Sequence, residues 1–464
     1  MKGVGSVRNQ YLATFCVNLL TVSYGFACSW TSPSFPILMS EDTPLASGPI
    51  TSEDGSWIAA QLCVGGLIGN LLAGWTAERF GRKLTACMAA VPQIMMWLMV
   101  ILADNVYYLM AVRFFGGFSG GMCFMVVPTF IAEISEDRIR GLLGSTLVLS
   151  SNLGILIMYI VGAVFDYGTV PYVLLPVPLI FLVCFWCMPE SPFYLMKKND
   201  YVSSERSLRF YRGFNKGSSQ QLSEEFHIEL VKLKDTFNDD KRQSESDKIT
   251  WSDLTTRHAR KAFLIGICLM ALNQYCGCFV MLNYTATIFE ESGSSMAPNT
   301  AAMIIGTIQM FGSYLSTMLV ERAGRKLLLI ISSIGIAVGM SIFSAYSYVQ
   351  LLGYDVSLFD WLPLVCFSWV IFIGSFGVLT VPFVVLAELV PQKIKSFALS
   401  FCMNSLWVFA FLAMKYFSPL SEALGMHGIL LLFAIFSLAG AIFVAIMVPE
   451  TKGKSFETIA RLMN

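Results

Sequence analysis

Glu78-Arg79-Phe80-Gly81-Arg82-Lys83 and Glu321-Arg322-Ala323-Gly324-Arg325-Lys326 are two copies of one short signature, 243 residues apart. Each copy closes one apolar run of membrane-spanning length and opens the next. A charged turn between two such runs, occurring twice, reads as two fused copies of one multi-helix membrane unit. The repeat extends past the signature. Glu133-Ile134, then Arg138-Ile139-Arg140, matches Glu388-Leu389, then Lys393-Ile394-Lys395, at an offset of 255, and Pro189-Glu190-Ser191 matches Pro449-Glu450-Thr451 at 260. Three pairs with a slowly drifting offset are explained by duplication with changes in loop length.

Composition agrees with a bilayer environment. Of the 464 residues 55% are hydrophobic and 13% charged, and the mean hydropathy is +0.65, too apolar for a soluble domain of this size. The 31 basic and 31 acidic residues cancel, which leaves no footprint of a nucleic-acid partner. Runs of about 20 apolar residues, enough to cross ~30 Å of hydrocarbon as helix, lie near 11–37, 57–77, 84–103, 106–132, 141–163 and 170–188. A second set lies near 262–287, 299–320, 327–348, 361–387, 396–415 and 427–448. The expected fold class is therefore an all-α membrane protein of twelve transmembrane helices in two six-helix bundles. The first run carries no small-residue cleavage site and is too long for a signal-peptide core, so it is expected to stay as a span.

Charge order sets the expected orientation, because cytoplasmic loops hold lysine and arginine. With both termini cytoplasmic, 29 of the 31 basic residues fall on that side, the exceptions being Arg113 and Lys415 inside predicted helices. The polar stretch 189–261 separates a first bundle, 1–188, from a second bundle and tail, 262–464. Within it Glu224 to Leu233 shows helical apolar spacing, read as a surface helix, whereas Asn238 to Lys248 reads as a connector.

Parallel repeats of six helices are one transporter design, and here the residues carry a resemblance. The chain resembles the sugar porter family of the major facilitator superfamily in Gly74-x3-Glu78-Arg79-x-Gly81-Arg82-Lys83, Arg113-Phe114-Phe115-Gly116-Gly117, Pro128-x4-Glu133-x6-Arg140-Gly141, Pro189-Glu190-Ser191-Pro192, the second signature, and Pro449-Glu450-Thr451-Lys452-Gly453-Lys454. Trp30-Thr31-Ser32-Pro33-Ser34, Gly55-Ser56-Trp57-Ile58, Asn152-Leu153-Gly154-Ile155-Leu156 and Trp361-Leu362-Pro363-Leu364 are similar to the insect facilitated trehalose transporters. The resemblance implies alternating access, with trehalose as the expected sugar, glucose or another hexose second, and no cofactor or enzymatic activity. It also implies a lipid bilayer, expected to be the plasma membrane, as the surroundings.

The signatures have a physical reading. Gly74 is expected to let two helix backbones approach closely. Glu133 and Glu388 lie near helix ends where an unpaired charge is costly. By resemblance their partners are Arg79, Arg82, Lys83, Arg322 and Arg325 of the repeated loops together with Arg140 and Lys395, with Glu78, Glu321, Glu190 and Glu450 in the same network. Such a network ties the halves together in one state and separates in the other. The alternative is that each basic residue is only a topology anchor.

Sugars offer hydroxyls for hydrogen bonds and C–H faces for stacking. Candidate binding residues are Asn152, Asn273, Gln274, Asn283, Tyr284 and Gln309, with Trp407 and Phe383 as aromatic walls. The other reading of the amides is interhelical bonding. The resemblance also shows losses, since hydrogen-bonding residues of glucose facilitators correspond to Val148, Ser375 and Leu406. Residues 11–38 carry no charged side chain, where proton-linked porters typically have an aspartate, so facilitated diffusion is the expected mode and proton coupling the alternative. About ten residues before the first span and sixteen after the last favour transport over a sugar sensor, which would be expected to carry long extensions. Cys184-Phe185-Trp186-Cys187 is read as packing, the three histidines show no metal spacing, and the sequon at Asn283 falls inside a span.

Overall fold

The computed structural model describes residues 7–214, 226–227, 229–231, 233–234, 251–292, 296–452, 454 and 458. Among them the regular elements are helices and no strand occurs. Ten helical stretches have the length and hydropathy of membrane spans, from Arg8–Met39 to Phe397–Met447, and a shorter apolar one covers Val170–Trp186. The last long stretch is two spans. Gly425, at φ 72°, is not helical and breaks Lys395–Met447 in two. Numbered in chain order, the spans are then twelve, as the hydropathy pattern predicts.

Several spans are broken where the sequence would break them. Span 6 runs as Val170–Leu174 and Pro176–Trp186, because Pro176 and Pro178 lack the N–H that a continuous helix needs. Span 7 is Arg257–Tyr275 and Cys278–Asn283, divided at Gly277 with φ 83°. Span 10 is Leu362–Phe376 and Val381–Leu389. Span starts are capped where side chains allow. Thr51 and Asp54 form a reciprocal capping box at Ser52–Phe80, and Asn105 accepts from the N–H groups of Tyr107 and Tyr108 at Val106–Ile134.

Each charged signature is the turn between two spans. Gly81 (φ 98°) and Gly324 (φ 92°) sit at those turns, a backbone region that disfavours any side chain. A Cβ at Gly81 would stand 2.2 Å from Glu190 Oε2, and one at Gly324 2.8 Å from Glu450 Oε2. The two glycines therefore make room for the two carboxylates of the Pro-Glu-Ser and Pro-Glu-Thr motifs.

After span 6 the helices Pro192–Lys197 and Tyr201–Arg212 lie on the same side as the signatures. Of the surface helix expected over 224–233, the described residues Phe226, His227, Glu229, Leu230, Val231 and Leu233 are helical. Phe226 is buried against Phe214 at a ring distance of 5.6 Å, and Glu229 pairs with Arg212 at 3.1 Å. Residues 238–248 lie outside the described residues.

Candidate functional site

The close approach that packs the first half is made elsewhere than the motif suggests. A Cβ at Gly74 would meet only Met125 Cε, at 3.9 Å, so Gly74 is not where two backbones touch. The tight contact lies nearer the middle of spans 2 and 4. Cβ atoms at Gly65, Gly69, Gly117 and Gly121 would fall 2.0, 2.1, 1.8 and 2.1 Å from the facing carbonyl oxygens of Phe114, Phe118, Leu62 and Gly66. Small residues that let backbones touch replace the missing hydrophobic drive between helices in lipid.

The duplicated charges form two similar clusters, one per half. In the first, Arg82 Nη2 pairs with Glu133 Oε1 at 2.7 Å, and Arg82 Nε also donates to it at 2.9 Å. Ser191 Oγ donates to Glu133 Oε2. Glu190 accepts from the backbone N–H groups of Arg82 at 3.2 Å and Lys83 at 3.0 Å. In the second half Arg325 pairs with Glu388 at 3.0 Å, and Glu450 accepts from the N–H groups of Arg325 and Lys326 at 3.1 Å. Even the lysine ends match: Lys83 Nζ donates to Trp186 O at 2.6 Å and Lys326 Nζ to Ala445 O at 2.7 Å.

The copies differ in detail. Thr451 Oγ1 is buried without a hydrogen-bond partner and so is Glu388 Oε2, so the hydroxyl of the second half does not complete the carboxylate as Ser191 does. Burial pushes the Glu190 carboxyl above its ordinary range, against the N–H donors of Ser191 and Lys83. At Glu450 burial also pushes upward, but the N–H groups of Lys452, Arg325, Lys326 and Thr451 outweigh it and hold the carboxyl below that range. Arg82→Ala is therefore expected to cost about 3–5 kcal/mol, the scale of a broken buried pair, and Arg325→Ala distinctly less. Thermal denaturation of the purified variants checks the order.

The other expected members are placed as follows. Arg79 stacks on Trp75 and Phe80, with its guanidinium 5.3 and 5.8 Å from their ring centres, rather than reaching a carboxylate. Glu78 pairs with Lys197 at 3.2 Å on an exposed surface. Arg140 Nη2 donates to Ser135 O at 3.3 Å. No ion pair links Lys395 to Glu388 among the described residues. The side chains of Glu321 and Arg322 lie outside the described residues. Both clusters lie within their own halves, and no ion pair between described residues joins the halves.

The halves are fastened on the face opposite the signatures. Arg113, wholly buried in span 4, donates from Nη2 to Asn283 Oδ1 at 2.9 Å and from Nη1 to the carbonyl oxygen of Ala27. Thr31 Oγ1 donates to Asn283 O at 2.9 Å, Tyr159 to Leu282 O at 2.6 Å, and the Ala286 N–H to Ser32 Oγ at 3.2 Å. Lys415 Nζ donates to Ser56 Oγ at 2.7 Å, and Ser52 donates to Glu422 at 2.6 Å. Midway along the spans, Asn70 donates to Asn404 at 2.8 Å and Asn152 to Ser313 at 2.6 Å. Among the described residues no hydrogen bond joins the halves between that level and the signatures.

Between the halves lies a cavity enclosing about 950 Å³ of empty space, its open mouth included. Six of the expected residues line it: Asn152, Asn273, Gln274, Gln309, Phe383 and Trp407. Asn283 and Tyr284 do not. Asn283 is spent on Arg113 and Thr31, while Tyr284 is buried between Phe35 and Phe417 with ring distances of 5.6 and 4.7 Å. Val148 and Leu406 also line the cavity, whereas Ser375 does not. Tyr24, Phe124, Ser313 and Thr380 are lining residues that sequence reasoning missed, since nothing in a uniformly apolar run marks which face looks inward. The role of Arg113 was missed as well, although a charge inside an apolar span signals function.

Among the described residues, no Asp, Glu, Lys, Arg or His lines the cavity. Its amides are mutually engaged. Asn273 Nδ2 donates to Val378 O at 2.8 Å, Gln274 Nε2 to Asn273 Oδ1 at 2.9 Å, and Gln309 Nε2 to Asn152 Oδ1 at 3.2 Å. Gln274 Oε1, Gln309 Oε1 and Trp407 Nε1 are buried with no partner. The Trp407 ring lies on span 2, so close that a Cβ at Gly66 would stand 2.6 Å from it.

Twelve spans in two similar halves around a central cavity, with the halves fastened on one side of it, define a multi-pass membrane transporter. The chain belongs to the sugar (and other) transporter family, which matches residues 34–463. It is 31% identical over 455 residues to the facilitated trehalose transporter Tret1-2 homolog of Drosophila simulans, covering 98% of this chain and 91% of that one. It is likewise 31% identical to the facilitated trehalose transporter Tret1 of Bombyx mori, over 97% of this chain and 86% of that one. Among solved structures, the inward open conformation of the xylose transporter XylE from E. coli matches with a TM-score of 0.78 at 21% identity, covering 98% and 99% of the two chains. Its partially occluded inward open form matches with a TM-score of 0.77 at 20% identity, over 97% and 100%.

Proposed function

We propose that this chain carries a neutral sugar across the plasma membrane by passive alternating access, with trehalose the first substrate to test and a hexose the second. The observation that carries the reading is a charge-free cavity between the halves, walled by amides, Trp407 and Phe383. Relatives named as facilitated trehalose transporters support trehalose. The positive charge bias supports a cytoplasmic position for both termini and for the signature face, and the described geometry is then that of an inward-facing carrier. The domain limits that follow are 1–188, 189–261 and 262–464.

The passive mode rests on Arg113. Its neighbours in hydrogen-bond reach are neutral oxygens of Ala27, Cys28 and Asn283, so no carboxylate there takes up a proton to drive the cycle. The two signature clusters, Arg82–Glu133 and Arg325–Glu388, serve in this reading as the elements that rearrange when the cytoplasmic side closes.

The test is radiolabelled uptake into proteoliposomes, comparing trehalose, glucose and fructose with and without a proton gradient. Saturable trehalose uptake indifferent to the gradient is the expected result. Collapse of uptake when the gradient is removed sinks the passive mode. Gln274→Ala and Gln309→Ala are each expected to weaken sugar binding about tenfold, the worth of one hydrogen bond of ~1.4 kcal/mol, with insertion intact. Binding at the unmodified level in both removes these residues from the site.

A further inference from the structure

Spans 2 and 11 meet along one seam between the halves. Ser52 donates to Glu422 at 2.6 Å, Lys415 to Ser56 at 2.7 Å and Asn70 to Asn404 at 2.8 Å. Going inward from the closed face, the partners rise in number along span 2 and fall along span 11, which is the register of two antiparallel helices. At 3.6 residues per turn Ser52, Ser56, Gly66 and Asn70 share an arc of ~80° on one span, and Glu422, Lys415, Trp407 and Asn404 share a similar arc on the other. Gly66 and Trp407 are therefore a rung of the same seam, one turn outward of the asparagines.

This rung is made without a hydrogen bond. A Cβ at Gly66 would stand 2.6, 2.6 and 2.7 Å from Cε3, Cζ3 and Cδ2 of Trp407. Near-equal distances to three consecutive ring atoms place the glycine over the face of the indole, since an approach to the edge would leave the outer two atoms farther than the middle one. Ordinary carbon contacts are ~3.5–4.0 Å, so the ring takes this place because residue 66 has no side chain. Trp407 is 5% exposed and its Nε1 has no partner, so contact with span 2 fixes the ring.

We propose that Gly66 is a positioning residue, which seats the Trp407 indole against the opposite half and so ties the cavity wall to the closed face; the link to sugar rests on the sugar-transport reading. Trp407 lines the cavity, and among the described residues span 2 contributes no lining residue. The indole therefore stands between span 2 and the cavity. Opening the closed face parts spans 2 and 11 along their seam, and the ring then loses its seat. A sugar packed on the ring meets it in one place while the face is closed and in another once it opens. That difference in contact is what lets a ligand shift a two-state equilibrium.

The experiment uses the full chain carrying Ser418→Cys in proteoliposomes, with the chain lacking that change as the blank. It reads the rate of labelling by a membrane-impermeant maleimide, together with uptake of trehalose and glucose. Gly66→Ala is expected to speed labelling about tenfold and to raise the half-saturating sugar concentration, because the added methyl drives the ring from its seat. In a Trp407→Phe background, where the six-membered ring facing the methyl is gone, adding Gly66→Ala is expected to change labelling by less than about twofold. A change that merely weakened the fold would act alike in both backgrounds. Unchanged labelling in Gly66→Ala, or the same increase with and without Trp407, overturns the inference. Faster labelling with an unchanged half-saturating concentration overturns the link to the sugar site. Should Gly66→Ala not fold, Trp407→Phe alone decides, since it vacates the seat from the other side: faster labelling supports the seat and labelling at the parent rate overturns it. Absence of saturable uptake by the folded parent overturns the sugar reading, whereas the labelling comparison still decides the seat.

Discussion

Arg113→Ala is expected to lower sugar uptake about 100-fold while the protein still inserts. The guanidinium ties span 4 to the carbonyl oxygens of span 1, at Ala27 and Cys28, and to Asn283 of the second half. Its removal leaves buried acceptors unpaired, each costing about 1–3 kcal/mol. Part of that cost falls on the state in which this face is closed, and every ~1.4 kcal/mol moves the open–closed ratio tenfold. Arg113→Lys keeps the charge but not the planar fork that serves several oxygens at once, so an intermediate loss is expected. Uptake should be measured together with labelling of a Ser418→Cys reporter by a membrane-impermeant maleimide, since Ser418 stands at this closed face beside Ser52. Labelling should rise in Arg113→Ala as the face opens. Uptake within twofold of the parent and unchanged labelling would show that the contact does not govern the gate.

Gly117→Val is expected to abolish folding of the first bundle, whereas Gly74→Ala leaves it intact. A Cβ at Gly117 would sit 1.8 Å from the backbone oxygen of Leu62, and backbone cannot swing aside as a side chain can. Spans 2 and 4 would have to separate along the whole row that Gly65, Gly69 and Gly121 share with it, losing contact over a full helix face. At Gly74 the nearest atom to an added Cβ is the flexible end of Met125 at 3.9 Å, an ordinary contact. Size-exclusion profiles of the solubilised variants separate the two cases. A monodisperse Gly117→Val protein would mean that the spans can pack without backbone contact.

The contrast between Gly74 and Gly117 shows how far motifs can be read for mechanism. Gly74 and Gly117 each stand in a motif of the family, yet only Gly74 was expected to make the close contact. Which glycine meets a neighbouring backbone depends on how two helices cross, and a single span's sequence does not hold that angle. The same limit divides the expected binding residues. Asn273 and Gln274 reach the cavity, but Asn283, beyond the break at Gly277, is turned into the contact with Arg113. Periodicity cannot be carried across a break whose geometry is set by the surrounding helices.

By itself the sequence determined the class of molecule, the number of spans and the twofold repeat. Those follow from local quantities: the length of apolar runs against the thickness of hydrocarbon, and the recurrence of Gly81 with Glu190 and of Gly324 with Glu450. The resemblance implied that Glu133 and Glu388 meet arginines of the repeated loops; which arginines they are, Arg82 and Arg325, is seen only in the structure. Only the tertiary structure decided that both pairs stay inside their own halves, that the halves are fastened on the opposite face through Arg113, Asn283 and Lys415, and that Gln274 Oε1, Gln309 Oε1 and Trp407 Nε1 are buried in the cavity wall without a hydrogen-bond partner. These depend on which faces of distant spans meet, and hydrogen-bond capacity can be counted only once every partner is in place.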